Sequence, residues 1–217
     1  MLISIEDLEK VLKNNGIFVN EVVHIGGHHG QEAEVYHTMD VDRVLFLEPM
    51  KESFKICKEK AESLGYECEN WGVGEEKGKM VMYTETANKG QSSSMLEPKK
   101  HLEMYPGIQF DGREEVDVIT LDGAMEDLDM SPDMIVIDVQ GYEKQALSGG
   151  PNALKSAKVI FSEVNEIEMY SGGASVSELD EFLSAYGFSR EMTSWVGYES
   201  KNCWGDAIYI KKENNHG

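Results

Sequence analysis

The 217-residue chain has only three cysteines, few basic residues and no long apolar run. Cys57, Cys68 and Cys203 stand at no metal-binding or redox spacing, and their odd number argues against a disulfide framework. No segment approaches the roughly 18 uninterrupted apolar residues that a membrane span requires. Residues 1–16 lack the basic start of a signal peptide. These absences predict a cytoplasmic protein that does not associate with membranes.

Acidic residues outnumber basic ones, with 40 Asp and Glu against 20 Lys and Arg and a formal net charge of −20. The excess is spread along the chain rather than gathered in a tail. Such a surface repels phosphate backbones, so the composition argues against a nucleic-acid partner. The hydrophobic fraction of 41% is ordinary for a globular protein, and the length suits a single domain spanning residues 1–217.

Short apolar strands alternate with helical patterns. An amphipathic helix is predicted within residues 1–15, with Ser4 as its N-cap. Strands are then predicted within 16–27, 43–49, 65–74, 79–85, 116–122, 133–141 and 157–164, and helices within 31–39, 51–64, 143–156 and 175–187. This alternation predicts a mainly parallel sheet covered on both faces. No helical pattern separates the last strands, 188–195 and 206–212, which predicts an antiparallel hairpin.

The segment VVHIGGHHG, residues 22–30, joins an apolar strand to a glycine turn. Ligands of open parallel sheets bind where strands turn into helices, and Gly26, Gly27 and Gly30 let the backbone approach a ligand closely. Glu48 follows Gly26 by 22 residues, at the end of the next strand. An acid in that place can accept hydrogen bonds from two ribose hydroxyls. The turn, the acid and the strand–helix–strand context together predict a site for an adenosine-containing cofactor.

The three histidines of this segment suggest a metal site, but their placement disfavours one. His24 lies in the strand and His28 and His29 lie in the turn, so the i, i+4 geometry of helical zinc motifs is absent. We expect no metal here. His24 is predicted to be a hydrogen-bonded group beneath the cofactor, and His28, more than His29, is a candidate proton acceptor.

The order of motifs resembles the FkbM family of class I S-adenosylmethionine-dependent methyltransferases, in which the seventh strand inserts antiparallel. The stretches that carry the resemblance are HIGGHHGQEA (24–33), FLEP (46–49), ENWGVGEEKGK (69–79), SSS (92–94), VITLD (118–122) and IDVQGYEKQALSGG (137–150). The glycine turn also departs from the G-x-G-x-x-G of nicotinamide dehydrogenases. The resemblance implies an α/β, Rossmann-like doubly wound sheet of seven mainly parallel strands with a C-terminal antiparallel hairpin, helices on both faces and extra strands inserted after strand 3.

The resemblance implies that the cofactor, S-adenosylmethionine, is held by residues at the ends of the first four strands, namely His24, Gly26, Gly27, Gly30, Glu48, Asn70, Trp71 and Asp138. The three glycines would shape the pocket for the methionine part of the cofactor. Glu48 would hold the ribose, and Asn70 with Trp71 would border the adenine.

The catalytic candidates are Asp138, His28 and Glu143. Asp138 would lie near the transferred methyl, where it would hold the cofactor ammonium, orient the hydroxyl of the methyl acceptor or take its proton. For Glu143 the alternative is a first-turn acid that complements the helix dipole. With Glu163, Asp138 and Glu143 form an oxygen-rich set that a divalent cation can use, although a metal is not expected.

Two positions depart from the family pattern. His24 occupies the usual Asp position of the glycine motif, which puts in doubt a carboxylate contact to the cofactor there. Gln140 replaces the usual acid of the D-v-E-G motif, so no catalytic role is assigned to it.

These observations predict an S-adenosylmethionine-dependent methyltransferase acting on a hydroxyl of a glycan or other small molecule. Residues 86–115 would form its acceptor-binding loop, with His101 and Tyr105 as candidate contacts; a surface loop without a ligand is the alternative. Two other functions remain open: a cofactor-binding module without catalysis, and an NAD-dependent oxidoreductase.

Overall fold

The computed structural model describes residues 2–198 and 201–212. The helices are α1 (Ile5–Asn14), α2 (Ala33–Thr38), α3 (Lys51–Ser63), α4 (Lys100–Met104), α5 (Leu121–Asp127), α6 (Glu143–Ser148), α7 (Pro151–Ser156) and α8 (Val176–Ser184). The strands are β1 (Glu21–Ile25), β2 (Arg43–Leu47), β3 (Glu67–Glu69), β4 (Gly72–Val73), β5 (Gly78–Thr84), β6 (Gly112–Ile119), β7 (Met134–Ile137), β8 (Val159–Asn165), β9 (Phe188–Tyr198) and β10 (Lys201–Lys211).

The large sheet has the strand order β3-β2-β1-β7-β8-β10-β9. Its first five strands are parallel, and β10 runs antiparallel to both β8 and β9. The predicted Rossmann-like sheet with a C-terminal antiparallel hairpin is therefore confirmed. The strand order reverses between β1 and β7, and the crevice beyond their carboxyl ends is where such sheets bind ligands.

Two apolar cores cover the two faces of this sheet. Along β1, Val22 packs on the side of α1, α2 and α3, whereas Val23 and Ile25 pack on the side of α5 to α8. This alternation is the expected result of side chains pointing to opposite faces along a strand. Because both faces are covered, the central strands are mostly buried and apolar, and their buried polar side chains lie near their carboxyl ends. Among the described residues, no helix has the length and apolarity needed to cross a membrane.

The extra strands form a second sheet, with the order β4-β6-β5. The region 65–74, predicted as one strand, is divided: β3 stays in the large sheet, and β4 leaves it to pair with β6. The predicted helix 143–156 is also divided, into α6 and α7. Gly149 and Gly150 separate them, and Pro151 starts α7. A side chain does not fit at Gly149, because a Cβ there would lie 2.2 Å from the carbonyl oxygen of Gly74.

Candidate active site

A cavity of about 540 Å³ lies at the carboxyl ends of β1, β2, β7 and β8. Its wall is lined by Gly26, Glu48 and Asp138, each one residue beyond its strand, and by Glu163, two residues before the end of β8. Residues of the segment 88–95 also line it. The cavity thus occupies the crevice at the reversal of strand order, where the sequence places its cofactor motifs.

The three glycines of the turn have two different tasks. Gly26 lines the cavity with a φ of +85°, and a Cβ there would lie 2.0 Å from the carbonyl oxygen of Asp138. Gly27 and Gly30 face α3 instead, where a Cβ would lie 3.1 and 3.4 Å from Sγ of Cys57. Only Gly26 is placed as the prediction requires; the other two bring α3 close to the turn.

Replacing Gly26 with alanine is expected to lower the free energy of unfolding by about 3 kcal/mol or more, because a positive φ and a backbone clash coincide. Gly172 is a matched control, since its φ is +79° and a Cβ would meet no atom within 4 Å. Gly172→Ala should cost only about 1 kcal/mol. Urea denaturation of both variants measures the difference, and equal losses would contradict the importance of the close contact.

Glu48 is buried at the end of β2 and is held by the backbone. Its Oε2 accepts the N–H of His28 at 2.7 Å, and its Oε1 accepts the N–H of Met50 at 2.8 Å. Each carboxylate oxygen keeps a further lone pair, so two ribose hydroxyls can still donate to it. Burial raises the pKa of Glu48 to about 7.

Asn70 and Trp71, predicted to border the adenine, are placed differently. Trp71 lines the cavity, and Asn70 does not. The Asn70 amide donates to the carbonyl oxygens of Glu48 and Pro49, both at 2.9 Å. Asn70 therefore supports the backbone that carries Glu48, and Trp71 alone is in position to contact a ligand.

His24 lies buried at the inner side of the cavity. Its Nδ1 is 2.8 Å from the Tyr36 hydroxyl, and its ring stacks on Phe46 with 5.2 Å between centroids. Burial lowers the pKa of His24, so the ring is neutral at physiological pH. An aspartate in its place would put a charge between Tyr36 and Phe46, whereas a neutral imidazole suits this packing.

His28 is occupied at both ring nitrogens. Its Nε2 lies 2.9 Å from the carbonyl oxygen of Lys89, which accepts only, and its Nδ1 lies 2.9 Å from the donating amide of Gln31. The ring therefore carries its proton on Nε2 and has no free lone pair for a substrate proton. This arrangement argues against the predicted catalytic role of His28, which instead ties the segment 88–95 to the glycine turn. His29 stacks on His28 with 3.7 Å between centroids and is not among the residues that line the cavity.

Gln140 joins two carboxylates at the cavity wall. Its Nε2 donates to Oδ1 of Asp138 at 2.8 Å and to Oε2 of Glu163 at 2.6 Å. Its Oε1 accepts the hydroxyl of Tyr170 at 2.9 Å. An acid at this position would add a third like charge, whereas the amide reduces the repulsion between the two acids. The departure from the family motif therefore has a local electrostatic reason.

Glu143 does not line the cavity. Its Oε1 accepts the N–H of Val139 at 3.1 Å and the N–H of Gly141 at 3.0 Å. It fixes the turn after β7, where Gln140 and Gly141 both have positive φ. The catalytic role predicted for Glu143 is therefore not supported by its position. Burial raises its pKa to about 7.

The wall opposite the glycine turn comes partly from residues that the sequence analysis did not single out: Asn165, Tyr170, Trp204 and Asp206. His101 and Tyr105, from the predicted acceptor-binding loop, also line the cavity. The Trp204 indole donates to the Tyr105 hydroxyl at 2.8 Å. Asp206 pairs with Glu163 across β10 and β8, a register that a strand pattern alone does not reveal.

Within residues 2–198 and 201–212, no group of three or more His, Cys, Asp or Glu is arranged to hold a metal ion.

The buried acids predict that the ligand-free protein loses stability as the pH rises from about 6.5 to 8. Burial raises the pKa of Glu48 and of Glu143 to about 7 and that of Glu163 well above its usual value. A group whose folded-state pKa is raised stabilises the fold below its unfolded pKa, and this stability is lost as the pH passes the folded value. The pKa values of His24, His29 and His101 are lowered. These histidines change the stability only below about pH 6.5, the pKa of an unfolded histidine, and so do not affect this window.

We expect a decrease on the order of 2 kcal/mol across this window, measured by urea unfolding at fixed ionic strength. Glu163→Gln should flatten the slope because it removes the acid that faces Asp138, Glu143 and Asp206. Glu166→Gln removes an exposed acid just beyond β8 and should leave the slope unchanged. An unfolding free energy that rises with pH in the parent protein would contradict these assignments.

Comparison with known proteins identifies the family. The model of the methyltransferase FkbM domain matches residues 24–190. A 2-O-methyltransferase, NoeI from Sinorhizobium fredii (strain NBRC 101917 / NGR234), is 31% identical over 96 residues, which are 44% of this chain and 40% of that protein. The match thus spans less than half the length of this curated relative.

Solved methyltransferase structures share the fold. Precorrin-6y C5,15-methyltransferase from Geobacter metallireducens GS-15 is 12% identical, with a TM-score of 0.52 over 95% of this chain and 88% of that one. Magnesium protoporphyrin IX methyltransferase from Synechocystis PCC 6803, solved with bound SAM, is 10% identical, with a TM-score of 0.52 over 96% of this chain and 78% of that one. The family match covers most of the chain and includes the glycine turn, Glu48, Asp138 and Glu163. The chain belongs to the FkbM methyltransferase domain family.

Proposed function

We propose that the protein is an S-adenosylmethionine-dependent O-methyltransferase that methylates a hydroxyl of a sugar or another small molecule. The observation that carries the proposal is the order of groups around one cavity: Trp71, Glu48, Gly26 and Asp138. An aromatic ring, a ribose-binding acid, a close backbone approach and a carboxylate follow each other across adjacent strand ends.

These residues fit the cofactor. Gly26 presents backbone without a side chain at the cavity wall, and Glu48 keeps lone pairs for the ribose hydroxyls. The aromatic face of Trp71 suits the adenine. When bound, S-adenosylmethionine supplies a methyl group already activated by its sulfonium sulfur. The protein therefore has to align the methyl acceptor, exclude water and remove a proton, and alignment alone contributes roughly 7–11 kcal/mol at best.

We assign to Asp138 the role of binding the hydroxyl of the methyl acceptor. In the sheet order β7 lies between β1, which carries the glycine turn, and β8, which carries Glu163. The Gln140 amide orients Oδ1 of Asp138, and among the described residues no hydrogen bond occupies Oδ2. This oxygen is free to orient a hydroxyl and to take its proton.

Residues of the segment 88–95 line the cavity and would exclude water from it. This segment is tied to the rim of the cavity at two points, because His28 contacts the carbonyl oxygen of Lys89 and the Ser94 hydroxyl donates to the carbonyl oxygen of Gln140 at 2.8 Å. The oxygen nucleophile is supported by the name of the relative, a 2-O-methyltransferase, and by the Asp138 carboxylate that lines the cavity.

Two measurements test the proposal. Calorimetric titration should show binding of S-adenosylmethionine and of S-adenosylhomocysteine, and no binding of NAD. Incubation with S-adenosylmethionine and a panel of sugars and small alcohols should release S-adenosylhomocysteine and add one methyl group to an acceptor oxygen, detected by mass spectrometry and NMR. Binding of NAD without binding of the methyl donor would refute the proposal, and cofactor binding without turnover on any acceptor would favour a non-catalytic module.

A further inference from the structure

The cavity wall is acidic, and among the described residues no cationic side chain opposes its acids. Its carboxylates are Glu32, Glu48, Asp138, Glu163 and Asp206, and no Lys or Arg is among the described residues that line it. S-adenosylmethionine carries one net positive charge and accounts for part of this excess. The remaining acids therefore indicate which chemical groups the second ligand of the cavity, the methyl acceptor, carries.

Most of these acids have a partner or an assigned task. Glu48 is assigned to the ribose and Asp138 to the reacting hydroxyl. Asp206 accepts the backbone N–H groups of Leu2 and Ile3. Glu32 lies near the glycine turn, on the cofactor side. Glu163 is different, because it is buried and, within the described part of the chain, its carboxylate accepts hydrogen bonds from two neutral amides alone, Gln140 at 2.6 Å and Asn165 at 3.2 Å.

Asn165 supplies an independent observation that points to a ligand. Its Nδ2 donates to Oε1 of Glu163, which fixes the orientation of the amide. Its Oδ1 is then a buried hydrogen-bond acceptor with no donor in the described part of the chain. Buried polar atoms are nearly always paired. A carboxylate and an unpaired carbonyl oxygen on one cavity wall together call for a group that donates several hydrogen bonds and accepts none.

A primary ammonium group meets both requirements, since it has three N–H donors, no acceptor and a positive charge. The aromatic side chains of Tyr170 and Trp204 line the same wall, and aromatic faces attract cations. A phosphate or carboxylate at this wall would meet only acids. The wall therefore favours an amine and opposes an anionic methyl acceptor.

We propose that the methyl acceptor carries a primary ammonium group that binds between Glu163 and Asn165, while a hydroxyl of the same molecule faces Asp138. This inference rests on the proposed function and narrows its substrate class to amino sugars and amino alcohols. Glu163 and Asn165 are then residues that determine specificity, and Asp138 remains the residue at the reacting oxygen.

The electrostatics of Glu163 agree with this role. Burial, together with the nearby carboxylates of Asp138, Glu143 and Asp206, raises the pKa of Glu163 well above its usual value. The other polar groups against it are the Gln140 and Asn165 amides. A bound ammonium opposes these effects and favours the ionised carboxylate. Amine binding should therefore release a proton from Glu163, and the affinity for the amine should increase with pH while the amine itself remains protonated.

The test is a binding titration on the full chain saturated with S-adenosylhomocysteine. The probes are glucosamine and 2-amino-1,3-propanediol, each compared with its neutral counterpart, glucose or glycerol, and glucosamine also with N-acetylglucosamine. We expect the ammonium compounds to bind at least about tenfold tighter than their neutral counterparts, as one charged hydrogen bond provides. Glu163→Gln should reduce this preference to less than about twofold and leave the affinity for S-adenosylhomocysteine unchanged.

Glu166→Gln is the matched control, because it removes an equal charge from an exposed position one residue beyond β8; it should keep the preference. If the ammonium and neutral probes bind equally, or if no probe binds, while S-adenosylhomocysteine still binds, the inference is wrong and the proposed function stands. If Glu163→Gln weakens cofactor binding instead, Glu163 holds the cofactor ammonium and the inference is also wrong. Failure of the parent protein to bind S-adenosylhomocysteine would refute the proposed function itself.

Discussion

Replacing Glu48 with alanine is expected to weaken S-adenosylmethionine binding about 100-fold, because two hydrogen bonds from ribose hydroxyls to a buried carboxylate would be lost, at about 1.5 kcal/mol each. The carboxylate is already fixed by the N–H groups of His28 and Met50, so it needs no rearrangement when the ribose binds. This pre-organisation is the reason for expecting a large effect from a single side chain.

Adenosine is the decisive probe for this prediction, since it contains the ribose but neither the sulfonium nor the amino-acid part of the cofactor. Its affinity should fall by a similar factor in Glu48→Ala, as measured by calorimetry. Glu69→Ala is the matched control, because Glu69 ends the neighbouring strand β3 and does not line the cavity. Unchanged adenosine affinity in Glu48→Ala, with a normal circular dichroism spectrum, would show that Glu48 does not bind the ribose.

Glu48 could be predicted from local rules and Asp138 from the family resemblance, and the positions of both agree with one rule. Each comes directly after a short apolar strand of a parallel sheet, and the carboxyl ends of such strands meet at one edge. The parallel sheet and its terminal antiparallel hairpin could be predicted for a similar reason, from the alternation of strands and helices and from the missing helix before β10, whereas the number of seven strands followed from the family resemblance. These features depend on periodicity and order along the chain.

The tasks of the turn residues could not be predicted, because they depend on contacts between distant segments. His28 looked like a free proton acceptor until the fold placed the carbonyl oxygen of Lys89 beside its Nε2. Gly27 and Gly30 looked like cofactor-binding glycines, but α3 packs Cys57 against them. No local pattern specifies which of two neighbouring groups a turn residue will face.

The residues on the substrate side of the cavity could not be predicted from the sequence either. Asp206 faces the site only because β10 pairs with β8 in a register that aligns it with Glu163. Tyr170 reaches Gln140 from a turn 30 residues further along the chain. The sequence indicated that a site exists at these strand ends. It did not identify the wall formed by Tyr170 and Asp206, because strand register and loop packing are tertiary properties.

Asp138→Asn is expected to lower kcat by about 10²- to 10⁴-fold, which is the usual contribution of a general base. Asparagine keeps the size of the side chain and an oxygen that can accept the Gln140 amide, so the variant removes the charge and leaves the geometry in place. Because the Asp138 side chain is exposed to the cavity mouth, the substitution should not disturb folding. The rate should be measured in single turnover with the acceptor that the panel identifies.

The effects of Asp138→Asn on kcat and on cofactor affinity, measured separately, show whether Asp138 acts as a base or holds the cofactor. A base predicts a large loss of kcat together with a dissociation constant for S-adenosylmethionine within about threefold of the parent value. A residue that mainly holds the cofactor ammonium predicts weaker cofactor binding with a nearly normal kcat at saturation. Asp127→Asn, at an exposed position ending α5, controls for the change in net charge. A variant with unchanged kcat would remove Asp138 from the chemistry and leave the proton to solvent or to another group at the cavity wall.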